Sequence, residues 1–318
     1  MVIYPVLTDD PSAESPAGES PARCLAGAAG TRETTAVAQA ARPDPDALDR
    51  EAALQEWLRT RGSVLVGFSG GVDSAYLATV AVATLGRERV LAVIGRSASY
   101  PEAQWAMARA IADRIDLPVL EIDTQEMHDP RYAANPVNRC YFCKTELWDR
   151  LAPVAAAHGL AFVVDGSNAD DTSDYRPGAA AARERGVLSP LAEVGLTKSQ
   201  IRQLSQRLGI PTWSQPSSPC LSSRLPYGTA VTAGRLAQIE QAEAALRALG
   251  AAGDLRVRFH GDVARVEFAV EVLQHWLAPG RAALVAQAVR GAGFARVTID
   301  LRGFRSGSLN VLGGVTEA

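Results

Sequence analysis

Two rhythms of apolar and polar residues divide this chain. Between about residue 46 and residue 226, short apolar runs alternate with helical periods. Ser63-Val64-Leu65-Val66-Gly67-Phe68, Val90-Leu91-Ala92-Val93-Ile94, Val119-Leu120-Glu121-Ile122 and Phe162-Val163-Val164-Asp165 each predict a buried strand. Helices are predicted over Asp46–Leu58, Ala75–Ala83, Pro101–Arg114 and from Thr197 to Leu208. Leu188-Ser189-Pro190-Leu191 predicts a short last strand. Strands that alternate with helices imply a parallel sheet with right-handed crossovers. Ligands of such sheets sit beyond the carboxyl ends of the strands.

From Val231 the rhythm changes. A helix over Thr232–Leu249 is followed by strands at Leu255–Phe259 and Ala264–Val270, a helix over Gly280–Arg290 and a strand at Ala295–Leu301. The expected fold class is therefore α/β, a Rossmann-like parallel-sheet domain over 46–226, followed by a small α+β domain over 227–318. Residues 1–45 hold 6 of the 18 prolines and show no period, which predicts a disordered tail with Cys24 as a bystander.

Ser69-Gly70-Gly71-Val72-Asp73-Ser74 lies between the first strand and its helix. A glycine pair there lets the backbone approach an anion, which the helix N–H groups and dipole then hold. Ser69 and Ser74 add hydroxyl donors. Asp73 beside a phosphate requires a Mg²⁺ ion or a donor such as an amine. An ordinary capped turn is the plain alternative. The hexapeptide resembles the pyrophosphate loop (PP-loop) of the N-type ATP pyrophosphatases, a HUP-type fold. That resemblance implies cleavage of ATP to AMP and pyrophosphate through an adenylated intermediate, with Ser69, Gly70, Gly71, Val72, Asp73 and Ser74 as nucleotide-binding residues.

Other chemistry gathers at the same sheet edge. Ser97, after the second strand, is expected to face adenine or ribose, with a solvated turn as the alternative. Asp170 and Asp171 follow the fourth strand, and Asp170 is a candidate Mg²⁺ ligand. Tyr175-Arg176 offers a cation on the same side. Cys140-Tyr141-Phe142-Cys143 begins a helix, which leaves a redox dithiol, half a zinc site or part of an iron–sulfur site open. Cys220 sits in a Pro- and Ser-rich loop, Pro211–Gly228, whose irregularity points to function. Arg256 and Arg258 lie two apart on one strand, which suits bidentate grip of a phosphate or carboxylate. An exposed face with surface ion pairs is their alternative.

The loop at 69–74, Cys140-x-x-Cys143, Asp165–Asp171, Ser218-Pro219-Cys220-Leu221-Ser222-Ser223-Arg224 and Val257–Asp262 together resemble the LarE family over residues 46–318. The resemblance implies an ATP-dependent sulfur transferase of nickel-pincer nucleotide (lactate racemase cofactor) biosynthesis. Its substrate is a pyridinium dicarboxylate mononucleotide, adenylated on a ring carboxylate and converted to a thiocarboxylate. Some members of the family sacrifice the sulfur of the one cysteine that matches Cys220. Others carry three cysteines, and Cys140, Cys143 and Cys220 place this chain with them. The resemblance then implies a [4Fe–4S] cluster and an external sulfide donor, with three cysteines and a water on zinc as the alternative. Arg256, Arg258, Arg224 and Lys144 become the expected substrate-binding residues, and ATP and Mg²⁺ the other cofactors. A homo-oligomer, a hexamer by resemblance, is expected.

Composition narrows the partners. The 318 residues carry a net charge of −3 and no long basic run, which argues against a nucleic-acid substrate and so against a PP-loop tRNA thiolase. An ammonia-dependent amide synthetase would leave three cysteines unexplained, and a nucleotide-binding sensor would leave Asp73 and the Cys220 loop without a task. No apolar run reaches the ~18 residues of a membrane helix. Four cysteines are too few for a disulfide scaffold and imply a reducing, cytoplasmic setting.

Overall fold

In a computed structural model, residues 43–173, 177–216 and 218–305 are described. Residues 1–42 of the expected tail and Tyr175-Arg176 lie outside them, while Pro45, placed at the end of that tail, opens the first helix. Helix α1 (Pro45–Arg61) starts at Asp44, whose side chain accepts from the Asp46 N–H, with Pro45 in the first turn. It leads into β1 (Val64–Gly67), α2 (Val72–Leu85), β2 (Val90–Arg96), α3 (Glu102–Arg114) and β3 (Val119–Asp123). A short α4 (Pro130–Ala133) precedes α5 (Arg139–Ala157) and β4 (Phe162–Val164). The strands form a four-stranded sheet, all parallel, in the order β3-β2-β1-β4. Strand order reverses beside β1, so the carboxyl end of β1 is the place where a crevice opens.

Each strand feeds two cores, which explains the unbroken apolar runs. Val64 and Val66 pack with α1 and α2 on one face, and Leu65 points to the other, against Trp148 and Leu151 of α5. Ala92 and Ile94 of β2 divide from Val93 in the same way.

Three helices close this half: α6 (Pro177–Glu184), α7 (Pro190–Glu193) and α8 (Lys198–Arg207). Thr197 and Gln200 form a reciprocal capping box at the start of α8. The strand expected at 188–191 is not there. Leu188 makes a single parallel bridge to Val164, and Pro190 then starts α7, since a ring that fixes φ and lacks an N–H suits a first helical turn.

The chain ends in α9 (Ala233–Ala248), β5 (Leu255–His260), β6 (Val263–Phe268), α10 (Leu273–Leu277), α11 (Pro279–Gly291) and β7 (Arg296–Ile299). Here β5 pairs antiparallel and β7 parallel with β6. The core of this sheet takes in Tyr132, Leu221 and Leu225 from earlier in the chain. The Cys220 loop is thus wedged between the two sheets.

Candidate active site

One cavity of about 540 Å³ opens at the carboxyl edge of the parallel sheet. Residues 69, 71, 72 and 73 of the glycine loop line one wall, and Cys140, Cys143, Lys144 and Cys220 line another. Ser97, Glu126, Arg139 and Lys198 border it as well.

The glycine loop is held by its neighbours. Gly70 has φ +65°, the left-handed region, and a Cβ there would lie 2.5 Å from the Cβ of Ala108 on α3. The Ser69 carbonyl accepts from Tyr100 Oη at 2.9 Å and Gln104 Nε2 at 2.8 Å. Ser69 Oγ and Ser74 Oγ are 3.1 Å apart. No side chain caps α2 at Gly71, so its first N–H groups face the cavity without a side-chain acceptor. A Cβ on Gly166 would come within 2.9 Å of the Ser74 backbone nitrogen, so the turn after β4 is pressed against the start of α2.

The donor that Asp73 required is an amine. Lys198 Nζ, on the first residue of α8, lies 2.6 Å from Asp73 Oδ2, while Asp73 Oδ1 is buried without a hydrogen bond. Asp170 does not line the cavity. Its Oδ2 accepts from the Lys198 N–H at 2.8 Å, so it orients the helix that presents this lysine.

The cysteine wall is fixed by arginines. Arg224 is 3 % exposed and donates to the carbonyls of Pro219 at 2.6 Å and Cys220 at 3.0 Å. Its other face meets Glu243 of α9 at 2.9 and 3.0 Å. Arg139 donates to the Ser222 carbonyl at 3.0 Å and to Asn135 Oδ1 at 2.5 Å. Arg258 donates to the Ser223 carbonyl at 2.9 Å and is paired with the buried Glu267 at 2.9 Å. Tyr132 Oη lies 2.7 Å from Ser222 Oγ, and the Leu221 N–H donates to the Ser99 carbonyl at 2.8 Å. A loop so pinned presents Cys220 in one orientation at little entropic cost on reaction.

Arg256 and Arg258 therefore do not sit on an exposed sheet face, and neither lines the cavity. Every residue of β5 from Leu255 to Phe259 is buried, because α9 covers one face and the 219–225 loop the other. Burial and the neighbouring Arg224 pull the Arg256 guanidinium down to about 10, and it stacks 4.8 Å over the ring of Phe304. Arg224 holds the loop rather than facing the cavity. Lys144 does face it, 4.9 Å above the ring of Trp148.

The thiols are mutually inhibiting. Burial pushes Cys143 well above the usual thiol range, and Glu126 and Cys220 add to the effect. Cys140 is open to water inside the cavity, yet protein walls surround it. Their low polarisability raises its thiol, and a charge on Cys220 raises it further against the pull of Arg139 and Lys144. Three thiolates here call for a positive group between them. Among the described residues no three His, Cys, Asp or Glu side chains converge closely enough to hold one metal ion. A zinc ion draws its thiolates to about 2.3 Å. An iron–sulfur cluster is several atoms across and accepts a wider spread of cysteines, and three thiols, the donor set it takes, line this cavity.

Sequence comparison identifies the relatives. A profile of the NAD synthase family matches residues 49–136, which span the glycine loop. An uncharacterised protein of Synechocystis is 44% identical over 257 residues, 81% of this chain and 95% of its own. The pyridinium-3,5-bisthiocarboxylic acid mononucleotide synthase of Lactiplantibacillus plantarum is 36% identical over 261 residues, 82% of this chain and 94% of its own. This chain belongs to the LarE family. An ammonia-dependent NAD synthetase of Methanosarcina mazei matches only 23% of the chain, 39% identical over 74 residues, so its likeness ends within the shared nucleotide fold. For a LarE protein the PP-loop and the cysteines ought to share one space, and here they do.

Lys198, Glu126, Arg139 and Tyr132 belong to the site without having been expected there. Asp73 was the only signal for Lys198. An acid beside a phosphate loop demanded a partner, but the sequence did not say which of the later lysines returns to it.

Proposed function

We propose that this protein uses ATP to adenylate a ring carboxylate of pyridinium-3,5-dicarboxylate mononucleotide and replaces the activated oxygen with sulfur, giving a thiocarboxylate. The observation that carries this reading is the single cavity, with an unsatisfied phosphate loop on one wall and three cysteines on the other. The likeness to the L. plantarum synthase over most of both chains supports the substrate.

In the first half-reaction the carboxylate oxygen attacks the α-phosphorus of ATP and pyrophosphate leaves. The N–H groups at the start of α2, with Ser69 and Ser74, receive the negative charge of the departing group. Lys198 is placed to exchange Asp73 for a phosphate oxygen. Asp73, whose Oδ1 makes no hydrogen bond, would be the residue to hold a Mg²⁺ ion, which would neutralise charge on the phosphates. In the second half-reaction sulfur attacks the carbonyl carbon and AMP leaves, which a bare carboxylate oxygen could not do. Cys140, Cys143 and Cys220 are the residues to hold a [4Fe–4S] cluster. When bound, the cluster would offer one iron without a protein ligand for an extra sulfide. Lys144 faces the same space and complements a ring carboxylate. Arg224 and Arg258 serve by holding the Cys220 loop. We assign the phosphate of the substrate to no single arginine.

The test separates the halves. Anaerobic protein given ATP, Mg²⁺ and the dicarboxylate mononucleotide is expected to release pyrophosphate and hold the acyl adenylate without sulfide, and to release AMP only when sulfide is added. It should form thiocarboxylate only with sulfide present. Iron and acid-labile sulfide at about four each per chain, lost in Cys220→Ala, would support the cluster. AMP release that is independent of any carboxylate would overturn the reading.

A further inference from the structure

Glu126 stands apart from the rest of the cavity. It is 2 % exposed, yet it borders the cavity near the cysteines. Its Oε1 accepts from Ser97 Oγ at 2.5 Å and Ser99 Oγ at 3.0 Å. Its Oε2 is buried and makes no hydrogen bond. Among the described residues no lysine, arginine or histidine forms an ion pair with it. A carboxylate withdrawn from water without a cation costs several kcal/mol, so such groups persist where a ligand brings the missing charge.

We propose that Glu126 recognises the positive charge of a pyridinium ring. This rests on the functional reading above and adds to it a residue that selects the charged ring. The position agrees with the chemistry. Ser99 gives its hydroxyl to Glu126 and its carbonyl to the Leu221 N–H, so the carboxylate is one residue removed from the anchor of the Cys220 loop. A ring nitrogen at Glu126 leaves the ring carboxyl groups to reach toward the cysteines and Lys144. The signs match a zwitterionic ring: one buried anion for the quaternary nitrogen, cations for its carboxylates. Ser97 and Ser99 complete the arrangement. Two hydroxyls donating to one oxygen keep Oε1 occupied and leave Oε2 for the ligand.

The contact gives a basis for selection. A pyridine whose nitrogen carries no ribose is neutral, and so is a dihydropyridine nucleotide. Both would leave Glu126 buried and unpaired. The site would then take only the oxidised, N-glycosylated ring.

The experiment compares two probes that differ in ring charge alone, nicotinamide mononucleotide and its dihydro form. Their affinities are measured by calorimetry on the full-length protein and on Glu126→Gln, which keeps the size and an oxygen acceptor for the serines. The wild type is expected to bind the cationic form tighter by about thirtyfold, the usual worth of one desolvated charge contact. Glu126→Gln should erase that preference by weakening the cationic form alone. Binding of ATP should stay within about twofold of wild type, which also shows that the variant is folded. Equal loss for both probes would make Glu126 a structural residue and overturn the proposal. Loss of ATP affinity with no change for the mononucleotides would assign it to the adenosine ribose and overturn it too. Wild-type protein that binds both probes equally sinks this inference but spares the adenylation reading. Wild-type protein that binds neither sinks both.

Discussion

The two walls of the cavity are built on different principles. The phosphate wall is local. Strand, glycine turn and helix follow one another within residues 64–85, and what the turn offers to the cavity is largely backbone. The cysteine wall is assembled from afar. Cys220 is positioned by Arg139, Arg258, Tyr132 and Ser99, each far from it in sequence, together with Arg224 inside its own turn. One wall tolerates drift in its surroundings as long as the turn survives. The other depends on buried charges whose partners must all be present.

Four changes test that contrast. Cys220→Ser has the largest expected effect. It should lower thiocarboxylate formation by about a thousandfold or more, since an alcohol would replace one of the three thiols proposed to hold the cluster. Adenylation should persist, as seen by pyrophosphate release. Arg224→Met comes next. Leaving Glu243 without its buried partner should cost about 3 kcal/mol of stability by denaturant titration. At a temperature where the variant is folded, only the sulfur step should slow. Gly70→Ala attacks the other wall. A left-handed residue with a side chain costs about 1–2 kcal/mol, and the contact with Ala108 adds to it. ATP affinity should fall by about twentyfold while the iron content is unchanged. Tyr132→Phe has the smallest effect, about 1 kcal/mol for the lost bond to Ser222. Loss of pyrophosphate release in Cys220→Ser or Arg224→Met, or loss of iron in Gly70→Ala, would erase the distinction.

The local wall was legible, and of the distant one the cysteines were legible but not the residues that clamp them. Val64-Leu65-Val66 declared a strand with two buried faces, and the glycine loop declared a tight turn at the start of a helix, because both depend on neighbours in sequence. Leu188–Leu191 was misread as a strand. Its apolar residues suited one, but the Pro190 ring started a helix instead. Arg256 and Arg258 were read as a grip for a substrate phosphate or carboxylate, yet neither lines the cavity. Nothing within β5 announces that α9 and the 219–225 loop bury it from both sides. Glu126 gave no sign at all. A glutamate in a short turn becomes informative only once Ser97 and Ser99 are seen to hold one oxygen and leave the other.

The long reach of the Cys220 anchors also sets an order of assembly. Tyr132 and Ser222 are 90 positions apart, and Arg139 and Ser222 are 83. During synthesis the parallel sheet can close around its glycine turn while Cys220, Arg224 and Arg258 are still inside the ribosome. Long loops close late because their entropy is repaid last. Cys140 and Cys143 must therefore emerge and wait, as bare thiols on a half-built protein, until Glu243 and Glu267 arrive to secure the third. The cysteine wall is therefore complete only once most of the chain has been made.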